Sequence, residues 1–213
     1  MSKILYLAQE QYLNQFIKQS DKLLSEMEVF ALEKNIPILS KPSAELLEQY
    51  VKLISPKRVL EIGTAIGYST IRIARNLKKK SKVFTIEKSE DNIKLAAEYF
   101  DKSEQQDKII LLEGDALNIM PRFDKKFDLI FLDADKEDYK RLFDYSMILL
   151  KKGGVLFVDN LLWHGYAASK SVPLKYKNST RIIREFNSLF TSTANLHTTI
   201  LPVGDGVGIG IKI

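Results

Sequence analysis

The sequence of 213 residues contains no cysteine. A disulfide framework, a thiolate nucleophile and a cysteine-based zinc site are therefore excluded. No apolar run approaches the roughly 18 to 20 residues that a membrane-spanning helix needs, and we expect a soluble, cytoplasmic protein without a membrane partner. Glycine and proline are also scarce, with ten and six residues, which excludes collagen-like and low-complexity chains.

The excess of positive charge is small as well. The 32 basic and 27 acidic residues leave a net charge of +5, which permits an anionic partner such as RNA but does not require one. The hydrophobic fraction of 45% is too high for a disordered chain. The length suits one domain that spans residues 1–213.

Residues 1–54 have the pattern of helices and predict an N-terminal helical cap. Apolar side chains between Tyr12 and Ala31 recur at intervals of three and four residues. Pro37 and Pro42 then bracket a short extended piece, and a second helical run covers 43–54.

From residue 55 to 213, short apolar runs alternate with longer amphipathic ones, which predicts an α/β core. The short runs are apolar on both faces and predict a doubly wound, mostly parallel sheet. Gly204-Asp205-Gly206 is a tight-turn signal that predicts an antiparallel C-terminal hairpin. The predicted strands are 58–62, 83–87, 109–112, 128–132, 155–158, 195–201 and 206–212, and the helices lie near 68–78, 90–101, 136–150 and 181–190.

A glycine-containing turn follows the first predicted strand. Gly63 and Gly67 are present, but the third glycine of the dinucleotide fingerprint is absent, which disfavours a nicotinamide oxidoreductase. Glu61 precedes the turn, and an acid there suits a cationic ligand group better than a pyrophosphate. The alternative is an ordinary strand-to-helix turn.

Two further acids lie at the ends of the second and third predicted strands: Glu87 closes the second, and Asp115 follows the third. Glu87 stands where a carboxylate can accept both hydroxyls of a ribose, and Asp115 stands where it can accept from an adenine amino group. A solvated surface acid and a helix cap are the alternatives for each. A nucleoside that carries a positive centre and no diphosphate indicates S-adenosylmethionine.

Oxygen-bearing side chains also end the fourth and fifth predicted strands. Asp133 follows the fourth, and Asp159 and Asn160 follow the fifth. Carboxylate and amide oxygens without cysteine or histidine suit a hard cation, Mg²⁺ above all. The alternative is a set of loop residues chosen for their turns.

Lys136 lies three residues beyond Asp133, so its amine can reach back over the predicted cation site. A cation and a sulfonium would both favour the neutral amine, which makes Lys136 a candidate general base; a solvated lysine is the alternative. A cation chelated by two neighbouring substrate oxygens lowers the proton affinity of the hydroxyl. These residues together predict metal-assisted O-methyl transfer.

The pattern resembles the cation-dependent class I O-methyltransferases, such as the catechol and caffeoyl-coenzyme A enzymes and their bacterial relatives, with a Rossmann-like fold. Within that family the chain looks most like the bacterial enzymes that methylate 5-hydroxyuridine in tRNA. The motifs that carry the resemblance are Val59-Leu60-Glu61-Ile62-Gly63-Thr64-Ala65-Ile66-Gly67-Tyr68-Ser69, Gly114-Asp115-Ala116, Leu132-Asp133-Ala134-Asp135-Lys136, Asp159-Asn160 and Pro202-Val203-Gly204-Asp205-Gly206.

The resemblance implies a site for S-adenosylmethionine and a site for Mg²⁺. The cofactor contacts it implies are Ser69, Glu87, Asp115, Ala116 and Asp133, with Leu39 beside the cofactor. The metal ligands it implies are Asp133, Asp159 and Asn160. Relatives use their N-terminal helices to cover the active site or to build a dimer, and we expect a homodimer.

The expected acceptor is 5-hydroxyuridine in a tRNA anticodon loop, where the base can be splayed into a pocket. We call residues 161–166 the roof segment, because they directly follow the predicted metal ligands; Trp163 or Tyr166 would stack on the base, unless both are core or interface aromatics. The expected phosphate contacts are Lys170, Lys175, Lys177 and Arg181. A small catechol-like or caffeoyl-type phenol is the alternative substrate, and a catalytically silent RNA-binding module is the alternative class.

Overall fold

The computed structural model describes residues 4–17 and 21–213, so that 1–3 and 18–20 of the predicted cap lie outside the described residues. The helices of this described part are α1 Leu7–Asn14, α2 Lys22–Lys34, α3 Lys41–Ile54, α4 Tyr68–Asn76, α5 Glu90–Ser103, α6 Ala116–Ile119, α7 Tyr139–Leu149 and α8 Lys177–Ser192. Its strands are β1 Arg58–Ile62, β2 Lys82–Glu87, β3 Ile109–Glu113, β4 Phe127–Leu132, β5 Leu150–Val158, β6 Leu196–Leu201 and β7 Val207–Lys212.

The seven strands form one sheet in the order β3-β2-β1-β4-β5-β7-β6. The first five strands are parallel, and β7 pairs antiparallel with both β5 and β6. This confirms the predicted doubly wound sheet with an antiparallel C-terminal hairpin. The hairpin enters the sheet through its second strand, so that β6 forms the edge.

Alternating side chains of the central strands build a separate apolar layer on each face of the sheet. Val59 of β1 and Phe131 of β4 pack with residues of α2, α3, α4 and α5. Leu60 and Ile130 point the other way and pack with residues of α7 and α8. Because both faces are covered, the strands are apolar throughout, which is why short apolar runs identified them.

Two elements start four or five residues earlier than predicted. The strand predicted over 155–158 starts at Leu150, because Leu150 pairs with Phe127 and a register shift between Phe127 and Leu129 takes up the intervening residues. Gly153 accommodates this irregularity with a φ of +75°. The helix predicted over 181–190 starts at Lys177, after a short 3₁₀ turn at Leu174–Tyr176.

The cap helices α2 and α3 begin at side-chain caps and pack on the sheet. Asp21 accepts from the backbone N–H of Leu24 at 3.1 Å, and Ser40 accepts from that of Ser43 at 3.3 Å. The buried side chains of these helices join the apolar layer over β1 and β4. No helix in residues 4–17 or 21–213 combines the length and hydropathy needed to cross a membrane.

Candidate active site

The loops after four parallel strands start at one edge of the sheet. The backbone amides of Gly63, Gly114, Asp133 and Asp159 each donate to a carbonyl oxygen of a neighbouring strand, at N–O distances between 2.7 and 3.2 Å. These bonds continue the parallel ladder one residue past each strand. The loops that carry the side chains predicted to bind ligands therefore begin at the same edge of the sheet.

A cavity of about 650 Å³ lies along this edge. Its volume is within the range of cofactor and substrate sites. The predicted site residues that line it are Leu39, Gly63, Ser69, Glu87, Asp115, Ala116, Asp133, Lys136, Asp159, Asn160 and Trp163. Glu61, Lys175, Lys177 and Arg181 are not among its lining residues.

Glu87 and Asp115 reach this cavity while they also hold backbone in place. The carboxylate of Glu87 accepts from the amides of Ala65 and Ser89, each at 2.9 Å. Asp115 caps α6 by accepting from the amide of Leu117 at 2.8 Å. The helix-cap interpretation of Asp115 is therefore correct, and the same residue also lines the cavity.

Gly63 allows the loop after β1 to lie against the end of β4. Its φ is +102°, and a Cβ atom at this position would stand 1.9 Å from the carbonyl oxygen of Asp133. A side chain would therefore separate the two loops that form the floor of the cavity.

Glu61 is not where the sequence suggested. Residues 59 and 61 point to the same face of β1, which α4 covers, and Glu61 is 0% exposed. Its Oε2 accepts from the hydroxyls of Thr70 and Thr85. Burial raises the pKa of Glu61 to about 7, and the nearby charge of Asp133 adds to the shift. The carboxylate thus lies behind the loop instead of facing the cavity.

Asp159 and Asn160 line the same cavity as Asp133. Asn160 Nδ2 donates to Asp159 Oδ2 at 3.2 Å, while Asp159 Oδ1 is buried without a hydrogen-bond partner in the part of the chain that is described. Burial raises the pKa of Asp159 to about 8, and the carboxylate of Asp133 contributes. An orphaned buried carboxylate oxygen among further oxygen donors fits a hard divalent cation such as Mg²⁺.

The amine of Lys136 lies among these oxygens, and the residue is only 9% exposed, so the alternative of a solvated lysine is wrong. Its Nζ donates to Asn160 Oδ1 at 2.7 Å and lies 3.4 Å from Asp133 Oδ1. The same nitrogen donates to the hydroxyl of Tyr139 at 2.6 Å. Lys136 therefore contacts the side chains predicted to hold the cation.

Tyr139 is a site residue that the sequence interpretation missed. Its hydroxyl donates to the carbonyl oxygen of Asp159 at 3.1 Å and accepts from Lys136. Burial raises the pKa of Tyr139 well above its usual value, so the hydroxyl stays protonated. The only available signal was its position three residues after Lys136, on the same side of the chain.

The roof segment brings Trp163, but not Tyr166, to the cavity. The centroid of the Trp163 ring lies 5.6 Å from Lys136 Nζ, whereas Tyr166 stacks on Tyr176 with ring centroids 5.2 Å apart.

Asp205 is a second residue that the sequence interpretation missed. Its Oδ1 accepts a hydrogen bond from the backbone N–H of His164, in the roof segment, at 2.5 Å.

The predicted phosphate contacts lie outside the cavity. Lys175 packs its amine 4.7 Å from the Tyr176 ring centre, and Arg181 pairs with Glu185 at 2.8 Å. A separate concavity of about 320 Å³ is lined by Lys170, Val172, Lys177, Thr180, Arg181, Arg184 and Glu185. Lys170, Lys177 and Arg181 are therefore gathered around a concavity separate from the main cavity.

Comparison with known proteins decides the family. The family model described as O-methyltransferase matches residues 13–213. The chain belongs to the O-methyltransferase family. A caffeoyl-CoA O-methyltransferase of Populus kitakamiensis is 34% identical to this methyltransferase over 169 residues, which are 76% of this chain and 72% of the relative. Caffeoyl-CoA O-methyltransferase 1 of Arabidopsis thaliana is 34% identical over 192 residues, which cover 84% and 73% of the two chains.

Solved structures agree with this family. An O-methyltransferase from Bacillus cereus in complex with S-adenosylhomocysteine superposes on the methyltransferase with a TM-score of 0.83, at 27% identity, over 96% of this chain and 97% of the other. The O-methyltransferase TomG from Streptomyces achromogenes, in complex with S-adenosylmethionine, gives a TM-score of 0.84 at 26% identity, over 100% and 99%.

Proposed function

We propose that the chain transfers a methyl group from S-adenosylmethionine to a hydroxyl that has a second oxygen next to it, with the help of a divalent cation. The observation that carries this proposal is the position of the Lys136 amine, in contact with Asn160 and Asp133 beside the buried Asp159. The cavity that reaches these groups is also lined by Glu87 and Asp115. A methyl donor and an acceptor can therefore lie side by side in it.

Each group has a defined part in this reaction. Glu87 and Asp115 would accept hydrogen bonds from the ribose and the adenine of the methyl donor. Asp133, Asp159 and Asn160 would hold the cation, which, when bound, lowers the proton affinity of the acceptor hydroxyl. Lys136 Nζ takes the hydroxyl proton. The hydroxyl oxygen then bonds to the methyl carbon while the bond from sulfur to that carbon breaks, and S-adenosylhomocysteine leaves.

The acceptor we favour is a small phenol with two adjacent oxygens, of the caffeoyl type. The names of the curated relatives support this substrate class, and the flat Trp163 ring beside Lys136 suits an aromatic acceptor.

A second candidate acceptor is 5-hydroxyuridine in a tRNA anticodon loop, whose two neighbouring oxygens can chelate a cation in the same way. The separate concavity lined by Lys170, Lys177 and Arg181 favours this candidate, since it offers cations to a phosphate backbone.

The test is a methyl-transfer assay with S-adenosylmethionine and Mg²⁺ on three acceptors: caffeoyl-CoA, free catechol and an anticodon stem-loop that contains 5-hydroxyuridine. Mass spectrometry should find one added methyl group on one of the adjacent oxygens, and a strong chelator should abolish it. RNA methylation that weakens steeply with salt would select the second acceptor. Full turnover with the chelator present, or no transfer to any of the three acceptors, would overturn the proposal.

A further inference from the structure

The roof segment has a strained backbone directly after the predicted metal ligands. Trp163, His164 and Gly165 follow one another with φ values of 46°, 55° and 79°. Side-chain-bearing residues in this left-handed region cost about 1 to 2 kcal/mol each. Two of them in sequence persist only where other contacts hold the chain in this shape.

Those contacts come from the turn between β6 and β7. The amides of Leu161 and Leu162 donate to the carbonyl oxygens of Gly206 and Asp205, each at 2.9 Å. The third bond is made by a side chain: Asp205 Oδ1 accepts from the amide of His164, which is one of the strained residues. Asp205 therefore holds the part of the roof segment that the backbone bonds do not reach.

The turn that carries Asp205 is itself closely packed on two sides. A Cβ atom at Gly204 would stand 2.2 Å from Ser43 Oγ and 2.3 Å from Ser40 Oγ, at the start of α3. A Cβ atom at Gly206 would stand 2.5 Å from the backbone nitrogen of Leu162. The carboxylate of Asp205 thus projects from backbone that lies tightly between α3 and the roof segment.

The roof segment carries Trp163, whose ring lies beside the amine of Lys136. Trp163 lines the cavity, and the centroid of its ring lies 5.6 Å from Lys136 Nζ. The indole Nε1 is buried without a hydrogen-bond partner among residues 4–17 and 21–213. The orientation of this ring therefore shapes the space beside Lys136 where an acceptor must lie.

We propose that Asp205 is a positioning residue for acceptor binding, because its bond to the His164 amide fixes Trp163 beside Lys136. This inference rests on the proposed function, since it assigns Trp163 to the acceptor pocket. Asp205 is not among the residues that line the cavity. Replacing Asp205 should therefore change the KM of the acceptor and leave the affinity for the methyl donor unchanged.

The test uses the Asp205→Ala and Asp205→Asn variants of the full chain. Trp163 is the single tryptophan of the sequence, so its fluorescence reports on the roof segment without any substrate. In Asp205→Ala we expect the emission to shift and acrylamide quenching to increase. The KM of the acceptor should rise about 10-fold, as expected for one lost hydrogen bond to a charged acceptor, with a smaller change in kcat.

Asp205→Asn separates this role from a charge effect. The amide oxygen of asparagine can still accept from His164, so the emission and the acceptor KM should return towards the values of the unaltered protein. The control is Asp124→Ala, an exposed acid before β4 at the other end of the sheet. Titration of each variant with Mn²⁺ measures the affinity of the predicted cation site.

Two results would overturn the inference. One is an Asp205→Ala variant whose tryptophan emission and quenching match those of the unaltered protein. The other is an Asp205→Asn variant that is as defective as Asp205→Ala and binds Mn²⁺ equally weakly, since the carboxylate would then act through its charge. If the unaltered protein methylates none of the three acceptors, the proposed function fails, whereas the fluorescence result still decides whether Asp205 positions Trp163.

Discussion

Lys136 has the environment that a proton acceptor for this reaction needs. Its amine is buried and hydrogen-bonded to Asn160 and Tyr139, so its position is fixed beside the oxygens of the predicted cation site. Tyr139 in turn bonds to the backbone of Asp159. Base and cation ligands are thereby joined in one hydrogen-bonded network.

Replacing Lys136 by glutamine should remove the base and keep polar contacts. We expect Lys136→Gln to lower kcat about 100- to 10,000-fold, the usual contribution of general base catalysis. The affinity for S-adenosylmethionine should stay nearly unchanged. Single-turnover kinetics and calorimetry measure the two quantities. Lys140→Gln is the matched control, because Lys140 is exposed on α7 and pairs with Asp144. A Lys136→Gln variant as active as this control would place the base elsewhere.

Cation binding should depend steeply on pH. The pKa of Asp159 is raised to about 8 by burial, with the charge of Asp133 adding to it. Because a carboxylate ligand must lose its proton, the affinity for Mn²⁺ should increase with pH, by about an order of magnitude between pH 6.5 and 8.5. Calorimetry in buffers of different ionisation enthalpy should show a proton released at the lower pH. A flat affinity without proton release would contradict this prediction.

The sequence was informative about residues at strand ends and silent about those that act through packing. Asp133, Asp159 and Asn160 could be predicted because the ends of neighbouring parallel strands must meet. Tyr139 could not, because a buried tyrosine follows the same apolar pattern as the core. Asp205 could not either, because aspartate in a Gly-Asp-Gly turn is favoured by the turn itself.

Helix α8 holds the C-terminal end of the roof segment, which Asp205 does not reach. The guanidinium of Arg184 donates to the carbonyl oxygens of Tyr166, Ala167 and Ser169. The backbone amides of Ala167 and Ser169 bond within the same loop. Arg184 is thus occupied by the last residue of the roof segment and by the loop after it, although it also lines the basic concavity.

Removing Arg184 should loosen this loop without affecting the methyl donor. We expect Arg184→Ala to speed hydrogen exchange at the amides of Ala167 and Ser169 about 10-fold and to raise the KM of the acceptor. Arg181→Ala is the matched control, because Arg181 is exposed on the same helix and pairs with Glu185 one turn away. Equal exchange in the two variants would show that Arg184 does not hold the loop. Mass spectrometry of peptides from this region measures the effect.

Element types could be predicted where the period of the apolar residues is clear, but strand order could not be predicted in full. The hairpin of β6 and β7 followed from its turn residues. The position of β7 next to β5 did not, because it depends on pairs such as Phe157 with Ile209 that are distant in the sequence. The early start of β5 could not be predicted either, because Gly153 and Gly154 lie within the strand and glycines usually indicate a loop.

The N-terminal cap is bonded to the α/β core through a polar network around the buried Tyr68 and Arg72. The hydroxyl of Tyr68, at the start of α4, donates to Glu28 of α2 at 2.7 Å. Arg72 of α4 donates to that hydroxyl at 2.7 Å and to Glu48 of α3 at 2.5 Å. Two cap helices and one core helix thus share one network. The cap also supplies Leu39 to the wall of the cavity.

Because the cap and the core share this network and one apolar layer, we expect them to unfold in a single transition. Tyr68→Phe removes the hydroxyl that joins Glu28 to Arg72, and should lower the free energy of unfolding by about 1 to 3 kcal/mol. The melting temperature should fall by roughly 3 to 10 °C for a chain of this length. Calorimetry and circular dichroism measure both values.

Tyr50→Phe is the matched control, since it removes a hydroxyl from α3, one of the two cap helices that the network joins to α4. The ring of Tyr50 packs against Phe157 with centroids 6.2 Å apart, and this contact remains in the variant, so stability should change by less than about 0.5 kcal/mol. If the two variants melted alike, the Tyr68 network would not contribute to stability. If Tyr68→Phe split the melting curve into two steps, the cap would be a separate folding unit that the core does not need.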